Sequence, residues 1–315
     1  MTKLRTAVVG VGYLGRFHAQ KHRALADVVD FVAVCDRDAE RARMVAAEVE
    51  TRALHDYREL VGKVDAVTIA ATTAEHFALT KFFLEHGVHV LVEKPMTRTS
   101  AEAAVLTKLA AERKLKLQVG HVERFNPALL AARETLTTVR FIECHRLAPF
   151  KGRGADVNVI LDVMIHDLDV ILSLVDSAPR AVSAVGIPVL MDDIDIANAR
   201  IEFENGAVAN VTASRVSTTP QRRFRVFQPN QYVSIDFGNG EVRRVTKQGE
   251  WREGAAPLHE ETWNLAKGDA LLAETKAFVD SIVTNKPCVV SGADGVAALR
   301  LAEMIDADIS KRQSG

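Results

Sequence analysis

Cysteine, aromatic residues and long apolar runs are all scarce in this sequence of 315 residues. The three cysteines, Cys35, Cys144 and Cys288, are far apart and form no C-x-x-C pair, which argues against a disulfide framework and a structural zinc site. No run of 18 apolar residues is present, and the N-terminus lacks the apolar core of a signal peptide. We therefore expect reduced thiols, no metal ion, no membrane contact and a cytoplasmic location.

An excess of charge of either sign is also missing. Lys and Arg together number 40, Asp and Glu number 41, and the net charge is −1. A chain balanced in this way has no overall positive field to attract nucleic acid, so any anion-binding site must be local. Apolar residues make up 48% of the chain, which is typical of a globular protein, and its length predicts about two domains.

The N-terminal part of the chain alternates short apolar runs with segments of helical periodicity. Continuous apolar runs are typical of strands buried on both faces, and their alternation with helices predicts the doubly wound parallel sheet of a Rossmann domain. We place this α/β domain at residues 1–120. Its expected strands are 6–10, 31–35, 65–71, 88–92 and 115–119, and its expected helices include 37–50 and 100–114.

The pattern changes after this domain, because extended segments now follow one another with turn signals between them. Glu204-Asn205-Gly206 and Asn239-Gly240 are typical of hairpin turns. Residues 121–315 are therefore predicted to form an α+β domain with an open, mostly antiparallel sheet, whose uncovered face favours a homodimer or homotetramer. The expected strands are 139–147, 180–190, 195–203, 207–215, 222–228, 232–237 and 241–246, and the expected helices are 156–174, 270–283 and 292–311.

A glycine-rich segment stands where the first strand leads into a helix. In Gly10-Val11-Gly12-Tyr13-Leu14-Gly15, the first glycine permits a tight turn, the second lets the backbone approach a pyrophosphate, and the third allows close packing of the helix. The free N–H groups and the dipole at the start of this helix favour phosphate. The segment predicts a dinucleotide site that includes Tyr13 and Leu14.

Further cofactor contacts are expected where later strands end. Asp36 ends the second strand 21 positions after Gly15, where its carboxylate suits ribose hydroxyls and repels the 2′-phosphate of NADP. Arg37 leaves binding of NADP open, because its guanidinium can contact adenine or a phosphate. Thr72, Thr73 and His76 follow the 65–71 strand at the edge where ligands bind, although His76 also fits an ordinary helical position.

Two further segments carry candidate catalytic groups. Glu93-Lys94-Pro95 directly follows the 88–92 strand and presents a lysine at the same edge of the sheet. In the second domain, Asp162 and His166 are one helical turn apart, so the carboxylate can orient the imidazole and raise its basicity. A lone histidine beside acids on a helix is more often structural, so this pair is ambiguous by itself.

These segments together resemble the glucose-fructose oxidoreductase, inositol dehydrogenase and rhizopine catabolism family (Gfo/Idh/MocA). The resemblance covers essentially the whole chain, and it is carried by the motifs in this order: Gly10-x-Gly12-x-x-Gly15, Glu93-Lys94-Pro95, Gly120-His121-Val-Glu-Arg124-Phe125-Asn126-Pro127 and Asp162-x-x-x-His166. It implies a Rossmann domain with an open-sheet α/β domain, an NAD cofactor, and the oxidation or reduction of sugars, inositols and their derivatives.

The resemblance also implies roles for particular residues. Lys94 and His166 would face the substrate carbon with Asp162 beside them, Glu93 and Pro95 would lie at the cofactor, and Pro95 could be cis. Arg124 and Asn126 would contact the substrate. Removing a hydride from a hydroxyl carbon requires a base for the proton and positive charge near the oxygen. We assign the base to His166 and the cation to Lys94, although the two roles could be exchanged.

The substrate is suggested by local positive charge. Lys151 and Arg153 precede the His166 helix and suit the phosphates of a nucleotide sugar. Four later arginines fit either binding of the same phosphates or positions on the outward face of a strand: Arg215, Arg222, Arg223 and Arg225. The 153–169 segment resembles family members that oxidise UDP-N-acetylglucosamine (UDP-GlcNAc) at C3 for lipid A amino sugars, which implies coupling to an aminotransferase. The alternatives are an inositol or free-sugar dehydrogenase, an NAD-dependent glycosidase and a non-catalytic dinucleotide sensor.

Overall fold

The computed structural model describes residues 3–150, 157–254 and 256–313. The chain forms two compact units. Unit 1 comprises Met1–Val122 and Asp269–Ala297, and unit 2 comprises Glu123–Gly268 and Ala298–Gly315. The first boundary between the units follows Val122, close to the domain boundary expected at residue 120. Residues 269–297 were expected in the second domain, but they belong to unit 1.

Unit 1 is built on a parallel sheet of six strands in the order β3-β2-β1-β4-β5-β6, which is the expected doubly wound Rossmann topology. The strands are β1 (Leu4–Val9), β2 (Val29–Cys35), β3 (Arg52–Leu54), β4 (Ala66–Ile69), β5 (His89–Glu93) and β6 (Leu117–Gly120). The crossover helices are α1 (Tyr13–Ala24), α2 (Ala39–Glu48), α3 (Thr73–Glu85) and α4 (Ser100–Arg113).

Unit 2 contains an eight-stranded sheet in the order β14-β13-β12-β11-β7-β10-β9-β8, in which only the β7–β10 pair is parallel among the described strands. The strands are β7 (Phe141–Leu147), β8 (Pro179–Ile187), β9 (Ile196–Phe203), β10 (Val208–Ser214), β11 (Gln221–Gln228), β12 (Gln231–Asp236), β13 (Glu241–Lys247) and β14 (Leu258–Asn264). Its helices are α5 (Pro127–Arg133), α6 (Ile165–Leu174) and, from Ala298 onwards, the C-terminal part of α8 (Gly292–Gln313). One face of the sheet packs against these helices in a large apolar core.

Two helices follow the second sheet, α7 (Ala270–Val283) and α8 (Gly292–Gln313). Helix α7 packs against the parallel sheet of unit 1. Its Phe278 is buried against Ala66 and Leu91, and its Val279 is buried against Leu25 and Val29. A parallel sheet needs cover on both faces, and α7 supplies part of that cover. This packing is the physical reason that residues 269–297 belong to unit 1.

The helix expected over 156–174 begins differently in the structure. Ile160–Met164 form a π-helical turn, and a regular α-helix, α6, starts only at Ile165. A π-helical turn closes hydrogen bonds from i to i+5, so the turn that carries Asp162 is wider than the α-helical turn expected there. Asp156 lies outside the described residues.

The structure also contains two strands that the sequence pattern did not predict. Strand β3 has three residues, of which only Leu54 is buried, so it shows no periodicity. Strand β14 lies at the edge of the second sheet and its residues are exposed or half-buried. The strand expected to reach residue 190 ends at Ile187, because Pro188 cannot donate a ladder hydrogen bond and Asp195 accepts the N–H groups of 189, 190 and 191.

A buried histidine links two central strands of unit 1. The ring nitrogens of His22 lie 3.0 Å from the hydroxyl of Thr6 on β1 and 2.8 Å from that of Thr68 on β4. Burial, together with the charge of His18, lowers the pKa of His22 from 6.5 to about 3. The neutral ring is therefore the form that fits the folded protein.

We predict that His22 makes unit 1 sensitive to acid. Between its folded and unfolded pKa values the unfolded chain binds the proton, so the free energy of unfolding decreases as pH falls below 6.5. From about pH 7 to about pH 5 this decrease amounts to roughly 2 kcal/mol. Urea unfolding followed at both pH values measures it. At pH 7, His22→Gln should have a lower free energy of unfolding than the wild type, and it should lack this part of the decrease towards pH 5. His86→Gln, at an exposed site, should behave as the wild type.

Candidate cofactor site and catalytic groups

The glycine-rich loop has the geometry that its spacing predicts. Gly10 has a φ of +82°, and a Cβ there would lie 2.6 Å from the backbone nitrogen of Ala71. A Cβ on Gly15 would lie 1.8 Å from the carbonyl oxygen of Gly10, so α1 can approach the loop only with glycine at this position. A Cβ on Gly12 would meet nothing within 4 Å, which leaves the space that a pyrophosphate needs.

Asp36 connects this loop to the end of β2. One carboxylate oxygen accepts the N–H of Val11 and the other accepts the N–H of Asp38, each at 2.9 Å. Arg41 lies 3.5 Å from the same carboxylate. A carboxylate can accept about four hydrogen bonds, so Asp36 retains acceptor capacity for ribose hydroxyls.

A cleft with a volume of about 660 Å³ lies beside the loop and the ends of β1, β2 and β4. Its lining includes Gly10, Gly12, Tyr13, Asp36, Arg37 and Thr72, all expected at the cofactor, and also Tyr57 and Arg58, which the sequence analysis missed. Arg58 lies over the ring of Tyr57, 4.9 Å from its centroid. Aromatic and guanidinium planes beside a carboxylate suit the adenosine half of a dinucleotide. No simple motif marks Tyr57 or Arg58 in the sequence.

Other expected cofactor residues lie around this cleft in different settings. Leu14 is 38% exposed on α1, and Thr73 is half-buried at the start of α3. His76 is buried, with Nδ1 2.8 Å from the carbonyl oxygen of Pro95 and Nε2 3.1 Å from that of Ala71. These contacts make His76 a link between two loops of unit 1, and its cofactor contact stays a prediction.

The segment that carries the candidate lysine is tightly held. Glu93 is buried at the end of β5, and its Oε2 accepts the backbone N–H of Lys94 at 3.1 Å. The other oxygen, Oε1, lies 2.7 Å from Nε2 of His18. The Lys94–Pro95 peptide bond is cis, as the resemblance implies, and Lys94 is half-buried. Glu93 thus makes internal contacts, and the cofactor contact expected for it stays a prediction.

In unit 2, the candidate base lies on a helix that two buried ion pairs hold. Asp162 and His166 are both half-buried, on the π-helical turn and on the first turn of α6. Arg146 of β7 binds Asp167 through two hydrogen bonds of 3.0 and 2.8 Å and binds Glu123 at 2.8 Å. Burial alone would favour the neutral acid and raises the pKa of Asp167, while the Arg146 guanidinium opposes this shift.

The second ion pair involves Arg124, one of the residues expected to contact the substrate. Arg124 donates two hydrogen bonds to Asp169 of α6, at 2.7 and 3.1 Å, and is only 6% exposed. Asn126 caps α5 by accepting the N–H of Ala128 and donates to Glu123. These contacts position α5 and α6, and the substrate contact expected for both residues stays a prediction. Without knowing which carboxylates fold against them, the sequence could not reveal this role.

The positively charged residues expected at a sugar phosphate lie in different structural settings. Lys151 and Arg153 lie outside the described residues. Arg215 is buried, pairs with Asp195 at 2.7 Å and donates to the carbonyl oxygen of Val157, so it has a structural role. Arg225 pairs with Glu143 across two strands, and Arg222 and Arg223 are exposed on β11.

Both the sheet topology and the glycine-rich loop define a dinucleotide-binding oxidoreductase fold. Residues 4–121 match the oxidoreductase family with an NAD-binding Rossmann fold, and residues 132–230 match the Gfo/Idh/MocA C-terminal domain. The chain belongs to the Gfo/Idh/MocA family of oxidoreductases, and its cofactor is NAD. The motif resemblance is thereby confirmed. In the part of the chain that the structure describes, no helix is long and apolar enough to cross a membrane.

Several characterised relatives share the full length of the chain. It is 40% identical to UDP-N-acetylglucosamine 3-dehydrogenase of Acidithiobacillus ferrooxidans, over 99% of this chain and 100% of that protein. A solved structure of that enzyme has a TM-score of 0.93 over 99% of both chains. Inositol 2-dehydrogenase of Rhizobium meliloti is 25% identical over 98% of both chains. A levoglucosan dehydrogenase in complex with NADH and levoglucosan, at 18% identity and a TM-score of 0.89 over 98% of both chains, shares the fold.

We predict that the Asp36 charge sets the preference for NAD over NADP. Asp36→Asn keeps an acceptor for the loop but removes the repulsion of a 2′-phosphate, so the ratio of the NADPH to the NADH dissociation constant should fall roughly tenfold, or about 1.4 kcal/mol. Fluorescence titration with each reduced cofactor measures both constants. Asp38→Asn removes the same charge from the α2 cap and should leave the ratio unchanged. An unaltered ratio in Asp36→Asn would assign the preference to another group such as Arg37.

Proposed function

We propose that the protein oxidises the C3 hydroxyl of UDP-GlcNAc to the 3-keto sugar. The observation that carries this proposal is the 40% identity, over 99% of the chain, to an enzyme named for that reaction. An inositol dehydrogenase is the second candidate, since relatives with that name are 25% identical over nearly the full length.

The proposed mechanism assigns one task to each candidate residue. NAD⁺, held by the glycine-rich loop and Asp36, would supply the hydride acceptor for C3. His166 accepts the proton of the C3 hydroxyl, and the ammonium group of Lys94 stabilises the oxygen as it becomes a carbonyl. Asp162, on the turn that precedes His166, orients the imidazole and stabilises its protonated form. The products are the 3-keto sugar, NADH and one proton. The proton passes from His166 to solvent.

Three further proposals concern the fate of the product, the location of the protein and the ligands of the UDP group. A ketone at C3 is a substrate for transamination, so we propose that an aminotransferase consumes it in the formation of lipid A amino sugars. The three cysteines are free thiols, which supports a cytoplasmic location. Lys151 and Arg153 remain the proposed ligands of the UDP pyrophosphate, because cations of this kind pair well with phosphate.

We also propose that the protein is a homodimer or homotetramer, assembled through the sheet face that α5 and α6 leave uncovered. An apolar row crosses five adjacent strands on this face. It consists of Val208, Phe141, Phe227, Tyr232 and Val245, paired in register. The ring centroids of Phe141 and Phe227 are 5.5 Å apart, and those of Phe227 and Tyr232 are 4.8 Å apart. A second copy would bury this row, and light scattering measures the resulting mass.

The substrate proposal predicts a specific response to a sugar panel. Purified protein with NAD⁺ should produce reduced nicotinamide with UDP-GlcNAc, and much less with UDP-glucose, free N-acetylglucosamine or myo-inositol. The ultraviolet absorbance of the reduced cofactor reports the rate. A response confined to myo-inositol would favour the second candidate, and a bound cofactor that turns over without net reduction would favour a glycosidase.

The assignment of Lys94 and His166 predicts a separation between catalysis and cofactor binding. Lys94→Ala and His166→Ala should each lower kcat by about two to four orders of magnitude, while the dissociation constant for NADH changes little. Stopped-flow or steady-state rates with UDP-GlcNAc, together with NADH titration, measure the two effects. Lys108→Ala and His86→Ala, at exposed sites, serve as controls. Normal turnover in both active-site variants would refute the assignment.

A further inference from the structure

A cluster of buried ionisable groups lies next to the Lys94 backbone in unit 1. A nitrogen of His18 and one carboxylate oxygen each of Glu93 and Glu274 lie within 4.8 Å of one another. His18 and Glu274 are completely buried, and Glu93 is 6% exposed. The three residues come from α1, the end of β5 and α7, which are far apart in the sequence. Buried ionisable groups are retained in proteins when they are paired with one another or have a function.

Glu93 is the member of this cluster that contacts the Lys94 backbone. One of its oxygens lies 2.7 Å from His18, and the other accepts the Lys94 N–H. Burial would raise the pKa of Glu93, but the hydrogen bond and charge of His18 outweigh it and hold the pKa below its usual value. An ionised Glu93 therefore binds the backbone of the residue whose ammonium group the reaction uses.

The neighbouring strand is shaped to accept this side chain. Gly120 of β6 pairs with Glu93, and a Cβ on Gly120 would lie 2.9 Å from the Glu93 Cδ and 3.0 Å from its Oε2. Real Cβ atoms essentially never lie below 3.0 Å from such atoms, so a larger residue at this position would require the Glu93 side chain to shift. Gly120 therefore leaves the space in which the Glu93 carboxylate lies, while His18 holds one of its oxygens.

We propose that His18 and Glu274 are positioning residues, which act through Glu93 to fix the Lys94 backbone for catalysis. This inference rests on the proposed role of Lys94. His18 of α1 holds one oxygen of Glu93 at 2.7 Å, and Glu274 of α7 lies within 4.8 Å of both groups, so the two residues confine the Glu93 carboxylate from two helices. Loss of either residue frees the Glu93 side chain and lets the turn at Lys94 move.

The chain offers matched controls for both residues. His22 lies one turn after His18 on α1 and is equally buried, but its partners are the threonines of β1 and β4. Thr275 follows Glu274 on α7 and is also completely buried, with its hydroxyl bonded to the carbonyl oxygen of Leu271. Variants at these positions disturb the same helices without touching the Lys94 turn.

The test compares His18→Gln and Glu274→Ala with His22→Gln and Thr275→Ala. With UDP-GlcNAc and NAD⁺, the first two should lower kcat by about tenfold or more and leave the KM for NAD⁺ within about twofold, whereas the controls should retain kcat. Glu274→Gln, which keeps the size and shape of the side chain, should retain more activity than Glu274→Ala. Equal losses of kcat in His18→Gln and His22→Gln would reduce the cluster to a purely structural role and overturn the proposal.

A second measurement needs no substrate and remains informative if turnover is too low to measure. Hydrogen exchange of the Lys94 amide, followed by NMR, should accelerate in His18→Gln and Glu274→Ala but not in the controls, because this N–H is bonded to Glu93. Unchanged exchange would contradict the proposal.

Two further experiments distinguish the positioning role of His18 and Glu274 from its alternatives. Normal kcat in Lys94→Ala would refute the catalytic role of Lys94 itself, whereas an inactive Lys94→Ala beside normal His18 and Glu274 variants would refute only the positioning role. Elemental analysis of the purified enzyme tests whether the cluster binds a metal ion instead. One equivalent of a divalent metal, lost in His18→Gln, would overturn the hydrogen-bonded arrangement.

Discussion

The need to cover both faces of the parallel sheet determines much of this structure. Six parallel strands expose apolar side chains on each face, and the helices that connect them leave part of one face open. Helix α7 fills this gap with Phe278 and Val279, although it follows the second sheet in the sequence. The same helix carries Glu274, one turn before Phe278, within 4.8 Å of Glu93, the carboxylate that binds the Lys94 backbone. One helix therefore supplies both apolar cover for the sheet and a member of the buried cluster beside Lys94.

Unit 2 holds its candidate base by a different means. Helix α6 carries His166, and the two carboxylates that follow it, Asp167 and Asp169, bind buried arginines on either side of the helix start. Such pairs add little net stability compared with apolar packing, but removing one partner leaves an uncompensated charge and destabilises a protein by about 3–5 kcal/mol. They therefore act mainly as a geometric constraint. The π-helical turn that places Asp162 is joined to a helix whose position these arginines fix.

The sequence predicts well those features whose signals are local. The glycine spacing from Gly10 to Gly15, the continuous apolar strands and the bounds of α7 follow from periodicity and backbone sterics, and the structure confirms them. Features that depend on distant partners were predicted poorly. Arg124 and Arg215 carry the same charge as a phosphate-binding arginine, and only the folded chain shows that Asp169 and Asp195 neutralise them. The π-helical turn likewise has no marker in its residue types.

This distinction explains where anion binding can reside in a chain of nearly zero net charge. The buried arginines of unit 2 are paired with carboxylates, so they constrain the geometry of the fold without creating positive potential at the surface. At the cofactor cleft of unit 1, Arg37 is exposed, and the backbone N–H groups at the start of α1 supply further positive charge. A balanced composition therefore does not oppose binding of a dinucleotide. The positive groups that matter for it are those which the fold leaves accessible beside Gly12, and their number in the sequence is irrelevant.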